Sequence, residues 1–502
     1  MFRRGRSALI GALLLLSLRG QVALGSQSED RSSDADAIGR LLALHGTKLA
    51  QGILVQRLSD GAVLYQKEAT QLLAPASVTK VVTSAAVLSK LSPVFTFKTP
   101  IYYTGQRKND KILGDLVVVG SGDPFIVSEK LWQLAADIKN LGIREVSGDL
   151  VIDNSLFDSE NRDDSRQGGI RQSSNAYDAP VSAFAVNFNT FAVAIAPSGR
   201  AGQSVLVNLD PYPLRGVVLE NSALTTKAGA HRSLQVTRRV SGKDERLQVA
   251  GTIGVGAPMQ KVYRSVGNEV QASGEYLRAF LKNAGVIVAG GVRAGLKPKE
   301  ATLLLELEGY EMRKIVTGLN TFSNNFIADA LVKRLGAAYP IKGSADAPGS
   351  GSFANGVQVL RDFLGKDVGI TSNFVLENGS GLATENRLSA RQVVDVLAYM
   401  AKHMEVFPEF LASLPATGWD GTLKKRFGKG DAVELKGLIR AKTGTLTEPI
   451  AVSAIAGYFR HPKHGMVAFC ILENGKDGSS QPAVADLRDQ QDQVLTAFMN
   501  LL

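Results

Sequence analysis

The apolar periodicity of this chain changes twice, near residues 98 and 300, and that pattern limits the folds open to it. Before the first change, GILVQRLSDGAVLYQ (52–66) is two β-type runs around Ser59-Asp60-Gly61, a hairpin signal. The next stretch, APASVTKVVTSAAVLSKL (74–91), places Val78, Val81, Val82, Ala85, Leu88 and Leu91 at helical spacing. Between the changes lie many short β-type runs broken by Gly, Asn and Asp turns, with few long helical patterns. After about 303 the α/β texture returns. MRKIVTGLNTF and SNNFIADALVKRLG read as helices, and Ser389 to Gln392 is a capping box at the head of another. GLIRAKTGTL, AVSAIAGYFR and GMVAFCIL then read as three strands, and a helix over about 484–502 follows, with Asp486, Asp489 and Asp492 on its polar face. A chain of 502 residues exceeds what one core fills, so two or three domains are expected.

Two stretches inside the β-rich region echo each other. LGDLVVVGSGDP (113–124) and SGDLVIDNSLFD (147–158) share Gly-Asp-Leu-Val, which recurs 34 residues apart at Gly114 and Gly148. We read this as a duplicated strand–turn unit; a repeat array would need at least three copies.

The N-terminus reads as an export signal. Arg3, Arg4 and Arg6 precede the apolar run 8–18, and Ala23-Leu24-Gly25 offers small residues at a cleavage point, giving a signal peptide over 1–25. An uncleaved anchor is the alternative. Cleavage removes four arginines and lowers the formal charge from +10 to +6. That is mild, and with no basic run it gives no support to a nucleic-acid partner. No stable membrane anchor is expected after cleavage, and a periplasmic location is plausible. Residues 26–36 are polar and resemble a disordered segment. The single cysteine, Cys470, lies in an apolar run and reads as a core thiol.

Common hydrolase machinery is missing. There is no Gly-x-Ser-x-Gly elbow, no Walker A sequence and no Gly-x-Gly-x-x-Gly. His461-x-x-His464 lacks the glutamate of a zinc-protease helix and falls in a turn, so no metal and no cofactor is expected. Ser77 and Lys80 stand three apart at the head of a helix. A serine hydroxyl is a weak nucleophile until a base takes its proton. A lysine can be that base if burial and positive neighbours lower its pKa, and the positive end of a helix dipole favours that state. Taken alone, Ser-x-x-Lys occurs by chance, and a capping serine is the default reading.

Two further motifs change this. Ser323-Asn324-Asn325 interrupts a helical pattern, and Lys442-Thr443-Gly444 sits on a strand, followed by Thr445. Ser-x-x-Lys, Ser-x-Asn and Lys-Thr-Gly, in that order and on helix, helix and strand, form the set of penicillin-recognising serine enzymes. The chain resembles the class C low-molecular-mass penicillin-binding proteins, the D-alanyl-D-alanine carboxypeptidase/endopeptidase family. Supporting stretches are GSGDPFI (120–126), SGDLVIDNSLFD, YDAPVSAFAVNFN (177–189), NGSGLATENRLSA (378–390) and LPATGWDGTLKKRF (414–427). The first two motifs lie 246 positions apart and the last two 119, which matches the family's habit of inserting domains after the first motif.

The resemblance implies an α/β (α+β) fold: a transpeptidase/β-lactamase-like antiparallel sheet flanked by helices, built from 26–97 and 301–502, with 98–300 as a long, mostly β insert of one or two domains. It implies that Ser77 attacks the carbonyl between two D-alanines of a peptidoglycan stem peptide while Lys80 takes its proton. Ser323, helped by Lys442, passes a proton to the leaving amine, and Asn325 holds the acyl-side amide. Thr443 and Thr445 bind the terminal carboxylate, Gly444 lets the substrate lie against the strand, and the backbone N–H groups of Ser77 and Thr445 form the oxyanion hole. β-Lactam antibiotics would be covalent inhibitors.

Departures from the family pattern fall before the second motif, in LEGYEMRKIVTGLN, and in the insert stretch QGGIRQSSNAYDAP. Tyr177 and Asp178 read as a loop tyrosine and a turn aspartate, with a substrate subsite as the alternative. Asp123 reads as a turn residue, and Gly418, Asp420 and Gly421 as the makers of a loop near the site. A β-lactamase would need a water-activating group, and neither a Glu-x-x-x-Asn loop between the second and third motifs nor a Tyr-x-Asn motif occurs. A non-catalytic envelope scaffold would be free to lose one of the motif residues, and none is lost.

Overall fold

The computed structural model describes residues 36–502 except 45–47, 167–172, 242–243, 341–349, 477 and 479. The expected signal peptide therefore lies outside the described residues, as do most of 26–36 and part of the insert stretch before Tyr177. The chain forms two compact units. One comprises the residues up to Ala74 with Leu388–Val394 and Pro415–Leu502; the other comprises Pro75–Arg387 and Asp395–Leu414. This division falls elsewhere than the texture changes near 98 and 300. The first two motifs share a unit with everything between them, and the third motif is in the other unit.

The unit holding the third motif is built on a five-stranded antiparallel sheet in the order Val63–Lys67, Leu49–Arg57, Gly465–Gly475, Val452–His461, Ile439–Leu446. The two strands Gly465–Gly475 and Val452–His461 are buried along nearly all their length, as apolar runs without polar alternation require. The expected hairpin over 52–66 is the pair Leu49–Arg57 and Val63–Lys67. The C-terminal helix Val484–Leu501 lays Val494, Leu495 and Phe498 into one core with Val55, Phe469 and Ile471. One of its three acids departs from the expected polar face: Asp492 is buried and its carboxylate accepts from the Arg426 guanidinium (Nε, 2.9 Å) and the Phe427 N–H (3.0 Å). Cys470 is buried in this sheet. The capping box is present in both directions, Gln392 N–H to Ser389 Oγ at 3.2 Å and Ser389 N–H to Gln392 Oε1 at 3.0 Å.

The other unit carries the β-rich region and the helices of the first two motifs. Its largest sheet runs Val292–Ala294, Leu150–Asp153, Leu116–Val119, Thr96–Tyr103, Thr302–Glu311. The sequence echo is a structural repeat: Leu116 pairs with Leu150 in a parallel ladder, and Gly148 N–H donates to Gly114 C=O at 2.8 Å. A third copy escaped the sequence reading because it is written Gly290-Gly291-Val292. Val292 pairs with Leu150, again parallel, and Gly290 N–H donates to Gly148 C=O at 3.0 Å. Parallel neighbours need crossovers. The helix Ser128–Asn140 lies between the first two copies, and Glu269–Ala284 precedes the third. Both helices pack their apolar faces, Leu131, Leu134 and Ile138 from one and Tyr276, Leu277 and Leu281 from the other, into a core with Val118 and Ile152. Smaller sheets of two or three strands fill residues 190–265. The helices Thr79–Leu91, Met312–Phe322 and Asn325–Ala338 pack together and bring the first two motifs close.

Candidate active site

Ser77 sits in a 3-10 turn, Ala76–Val78, that leads into the helix Thr79–Leu91. The expected helix opening is thus a tighter turn by one step, and Ala76 takes φ +46° to make it. The Thr79 hydroxyl donates to Ala76 C=O at 2.8 Å and locks the turn. Lys80, on the first turn of the helix, is fully buried. Its Nζ lies 3.1 Å from Ser77 Oγ and 2.7 Å from Asn325 Oδ1, and it donates to the Ser380 carbonyl. Asn325 reaches it because of how the second motif is built. Ser323 ends the helix Met312–Phe322 in the left-handed region at φ +54°. Asn324 then caps the next helix by accepting from Ile327 N–H at 3.1 Å, and Asn325 is that helix's first residue. Asn325 Nδ2 donates to the Tyr177 carbonyl at 3.2 Å, which fixes the amide with Oδ1 toward Lys80.

The amine is held among neutral oxygens. Among the described residues no carboxylate pairs with it. Burial pushes its pKa down to about 7, and the nearby Arg166 guanidinium pushes the same way. A neutral amine has two N–H donors and one lone pair. With Asn325 Oδ1 and Ser380 C=O taking the donors, the lone pair is left for the Ser77 hydroxyl. This is the arrangement of a nucleophile and its base.

The loop Asn378–Gly381 closes the far side. Gly379 C=O accepts from the Thr83 hydroxyl at 2.7 Å, and Gly381 N–H donates to Asn378 Oδ1 at 2.9 Å. Gly381 has φ +78°, and a Cβ there would stand 2.0 Å from Ala76 C=O, so only glycine lets this loop lie against the serine turn.

The third motif is on the edge strand Ile439–Leu446 of the other unit. Lys442 is fully buried and its Nζ donates to Thr443 C=O at 2.7 Å. Thr443 Oγ1 donates to Thr422 Oγ1 at 2.8 Å, and Thr445 Oγ1 accepts from the Arg488 guanidinium at 2.9 Å. The loop Thr417–Thr422 is shaped as expected, with Gly418 and Gly421 at positive φ and Asp420 Oδ1 accepting from Ala416 N–H at 2.7 Å. Thus Ser77, Lys80, Ser323 and Asn325 lie in one unit, with three of them in direct contact, and Lys442, Thr443, Gly444 and Thr445 form one stretch in the other.

The profile of the D-Ala-D-Ala carboxypeptidase 3 (S13) family matches residues 41–498. The chain belongs to this family. A D-alanyl-D-alanine carboxypeptidase of an Actinomadura species is 32% identical to this carboxypeptidase over 96% of the chain and 89% of that protein. The Haemophilus influenzae D-alanyl-D-alanine carboxypeptidase DacB is 26% identical, over 84% of this chain and 85% of its own. The crystal structure of the Haemophilus influenzae penicillin binding protein 4 has the same fold, with a TM-score of 0.74, 24% identity, and coverage of 92% of this chain and 99% of that one. The resemblance to class C low-molecular-mass penicillin-binding proteins is thereby shown, and with it the mixed α/β fold.

Three groups around Lys80 escaped the sequence reading of this carboxypeptidase. Two are backbone carbonyls, of Ser380 and Tyr177, which no side-chain identity announces. The third is Arg166. Asp178 is the turn aspartate expected, closing the 3-10 turn Ala176–Asp178 and accepting from Ser173 N–H at 2.6 Å, and it is also buried, with Oδ1 accepting from Arg166 NH1 at 3.0 Å. Asp123 does make a turn, accepting from Phe125 N–H at 2.8 Å, and burial raises its pKa to about 6. His461 serves its turn as an acceptor: Nδ1 takes the N–H groups of Lys463 (3.1 Å) and His464 (3.2 Å). Among the described residues no group of three or more His, Cys, Asp or Glu could hold a metal ion, and no helix is long and apolar enough to cross a membrane.

Proposed function

We propose that the protein is an exported D-Ala-D-Ala carboxypeptidase/endopeptidase that cleaves peptidoglycan stem peptides through an acyl-enzyme on Ser77. The observation that carries this is the contact of Lys80 Nζ with Ser77 Oγ at 3.1 Å, made by a buried amine whose pKa is pushed down to about 7. At neutral pH a large share of such an amine is uncharged and ready to accept a proton. Ser77 Oγ attacks the carbonyl of the penultimate D-alanine as its proton passes to Lys80. The C–N bond breaks, the terminal D-alanine leaves as an amine with a proton delivered by way of Ser323, and an ester to Ser77 remains. Water hydrolyses the ester and restores the hydroxyl. Asn325 has one amide oxygen on Lys80, and the family pattern gives it the acyl-side amide of the substrate as well. Lys442, Thr443 and Thr445 take the roles of the family's third motif: positive potential and hydroxyl donors for the terminal carboxylate, with Thr445 N–H and Ser77 N–H as the oxyanion donors. Gly444 keeps the strand open to the peptide. The place of action we infer is the periplasm.

β-Lactams imitate the acyl donor, and the Haemophilus influenzae relative has been crystallised in complex with one. Intact mass after mixing the purified chain with benzylpenicillin tests the reading. The expected result is a stable one-to-one adduct on the wild type and none on Ser77→Ala. Rapid loss of penicillin without an adduct would replace this reading with a β-lactamase, and an untouched antibiotic would replace it with a scaffold.

A further inference from the structure

A buried cation joins three elements that surround Lys80, and none of the roles above uses it. The Arg166 side chain is 6% exposed. Its NH1 donates to Asp178 Oδ1 at 3.0 Å, and its NH2 donates to Asp329 Oδ2. Its backbone forms an antiparallel bridge with Ala383. Each partner is next to a group that touches the Lys80 amine or that holds Asn325, which does. Asp329 lies one turn beyond Asn325 on the same helix. Asp178 follows Tyr177, whose carbonyl holds the Asn325 amide. Ala383 lies two residues past the loop Asn378–Gly381, whose Ser380 carbonyl accepts from Lys80. We propose that Arg166 is a positioning residue for acylation: it ties the Asn325 helix, the Tyr177 turn and the Ser380 loop together around Lys80, and it takes up the charge of the Asp178 and Asp329 carboxylates, which would otherwise hold the proton on Lys80. This rests on the Ser77–Lys80 reading above.

The charges around Lys80 bear on the sign. Its own helix places Lys90 at the far end, where it pairs with Asp367. The Asn325 helix contributes Asp329 and, further along, Lys333 and Arg334; the described residues of the 158–178 segment contribute Asp158, Glu160, Arg162, Asp163, Asp164, Arg166 and Asp178, of which Asp158 pairs with Lys333. The Ser380 loop contributes no charge between Asn378 and Ala383. Arg166 is paired with two buried carboxylates, Asp178 and Asp329, so its guanidinium offsets their field at Lys80, and together with burial it lowers the Lys80 pKa. Removing that field raises the affinity of Lys80 for its proton.

The test is the acylation rate with a fluorescent penicillin, from pH about 6 to about 10. Wild type is compared with Arg166→Met and Arg166→Lys, each with a thermal melt. For Arg166→Met the acid limb moves up by about one pH unit or more, so acylation near pH 7 falls about tenfold and recovers by pH about 9. Arg166→Lys keeps the charge and leaves the limb where wild type has it, although the lost fork slows the plateau. A deficit in Arg166→Met that is equal at every pH would overturn the electrostatic role and leave packing alone. An Arg166→Lys limb that rises as far as that of Arg166→Met would overturn it as well. If Arg166→Met does not fold, Arg166→Gln, which drops the charge but keeps a donor for the carboxylates, takes its place in the same comparison. Wild type that forms no adduct would defeat the Ser77 reading itself, whereas wild type that acylates beside a charge-removing variant with an unmoved limb would defeat this inference only.

Discussion

Two lysines in the same unit are equally buried and differently employed. Lys333 and Lys80 are both fully buried. Lys333 donates to the Asp158 carboxylate at 2.6 Å and to Glu160 C=O at 2.6 Å, and its Nζ lies 4.7 Å from the Phe353 ring centre. Every one of those neighbours favours an ammonium. Lys80 has a hydroxyl, an amide oxygen and a carbonyl, with a guanidinium nearby instead of a carboxylate. Burial alone therefore does not make a lysine a base. A carboxylate partner separates the two: Lys333 has one, and among the described residues Lys80 does not. Lys333 is an anchor for the Asp158 loop, and Lys80 is the proton acceptor we propose.

The contrast can be broken at its functional end. Lys80→Met should lower the acylation rate by about 10²- to 10⁴-fold, the usual worth of a positioned base, as read by penicillin adduct formation over time. The same variant tests linkage. Lys80 has a folded-state pKa below its unfolded value, so the unfolded chain binds more protons between pH about 7 and about 10, and stability should rise with pH across that window. Lys80→Met should flatten that rise in urea titrations at several pH values. A rate near that of wild type would make the two lysines alike and end the comparison.

A smaller perturbation should convert one lysine toward the other. Asn325→Asp gives Lys80 the carboxylate neighbour that Lys333 already has. The pKa of Lys80 should rise by about 1–3 units, and acylation at pH 7 should fall about ten- to a thousandfold, with recovery at higher pH. A loss that does not recover would mean that the amide's hold on the Tyr177 carbonyl, rather than the charge, is what matters. The smallest effect on rate belongs to Lys333→Met. It leaves the Asp158 carboxylate without its cation and should cost about 3 kcal/mol of stability, since Asp158 is mostly shielded from water. Acylation per folded molecule should stay at the wild-type level, and a thermal melt run beside the rate assay separates the two.

The sequence shows the chemistry better than its surroundings. Ser77, Lys80, Ser323, Asn325 and Lys442 stand out as the three-motif set we propose for the reaction, because such chemistry needs particular side chains at particular spacings. The strands and helices that carry them follow from their apolar period. The groups that tune Lys80 are less visible for physical reasons. Ser380 and Tyr177 act through carbonyls that every residue possesses. Arg166 and Asp329 are far apart in the chain, and their pairing exists only once the unit has folded. Asp178 is a turn aspartate as its neighbours suggest, and its second role, the pairing with Arg166, is tertiary and leaves no local signal. The third strand of the parallel repeat was hidden by the replacement of Asp by Gly at position 291, although Asp149 Oδ1 accepts from the Gly291 N–H at 2.9 Å and keeps it in register.

The pH dependence of Ser77 acylation in the wild-type chain tests the central claim most directly, because it reads the charge state of Lys80. The account predicts a rate that climbs about tenfold per pH unit below about 7 and levels off above it. A rate that keeps climbing toward the ordinary lysine range near pH 10 would contradict it, because Lys80 would then be an ammonium at neutral pH and something else would have to take the serine proton.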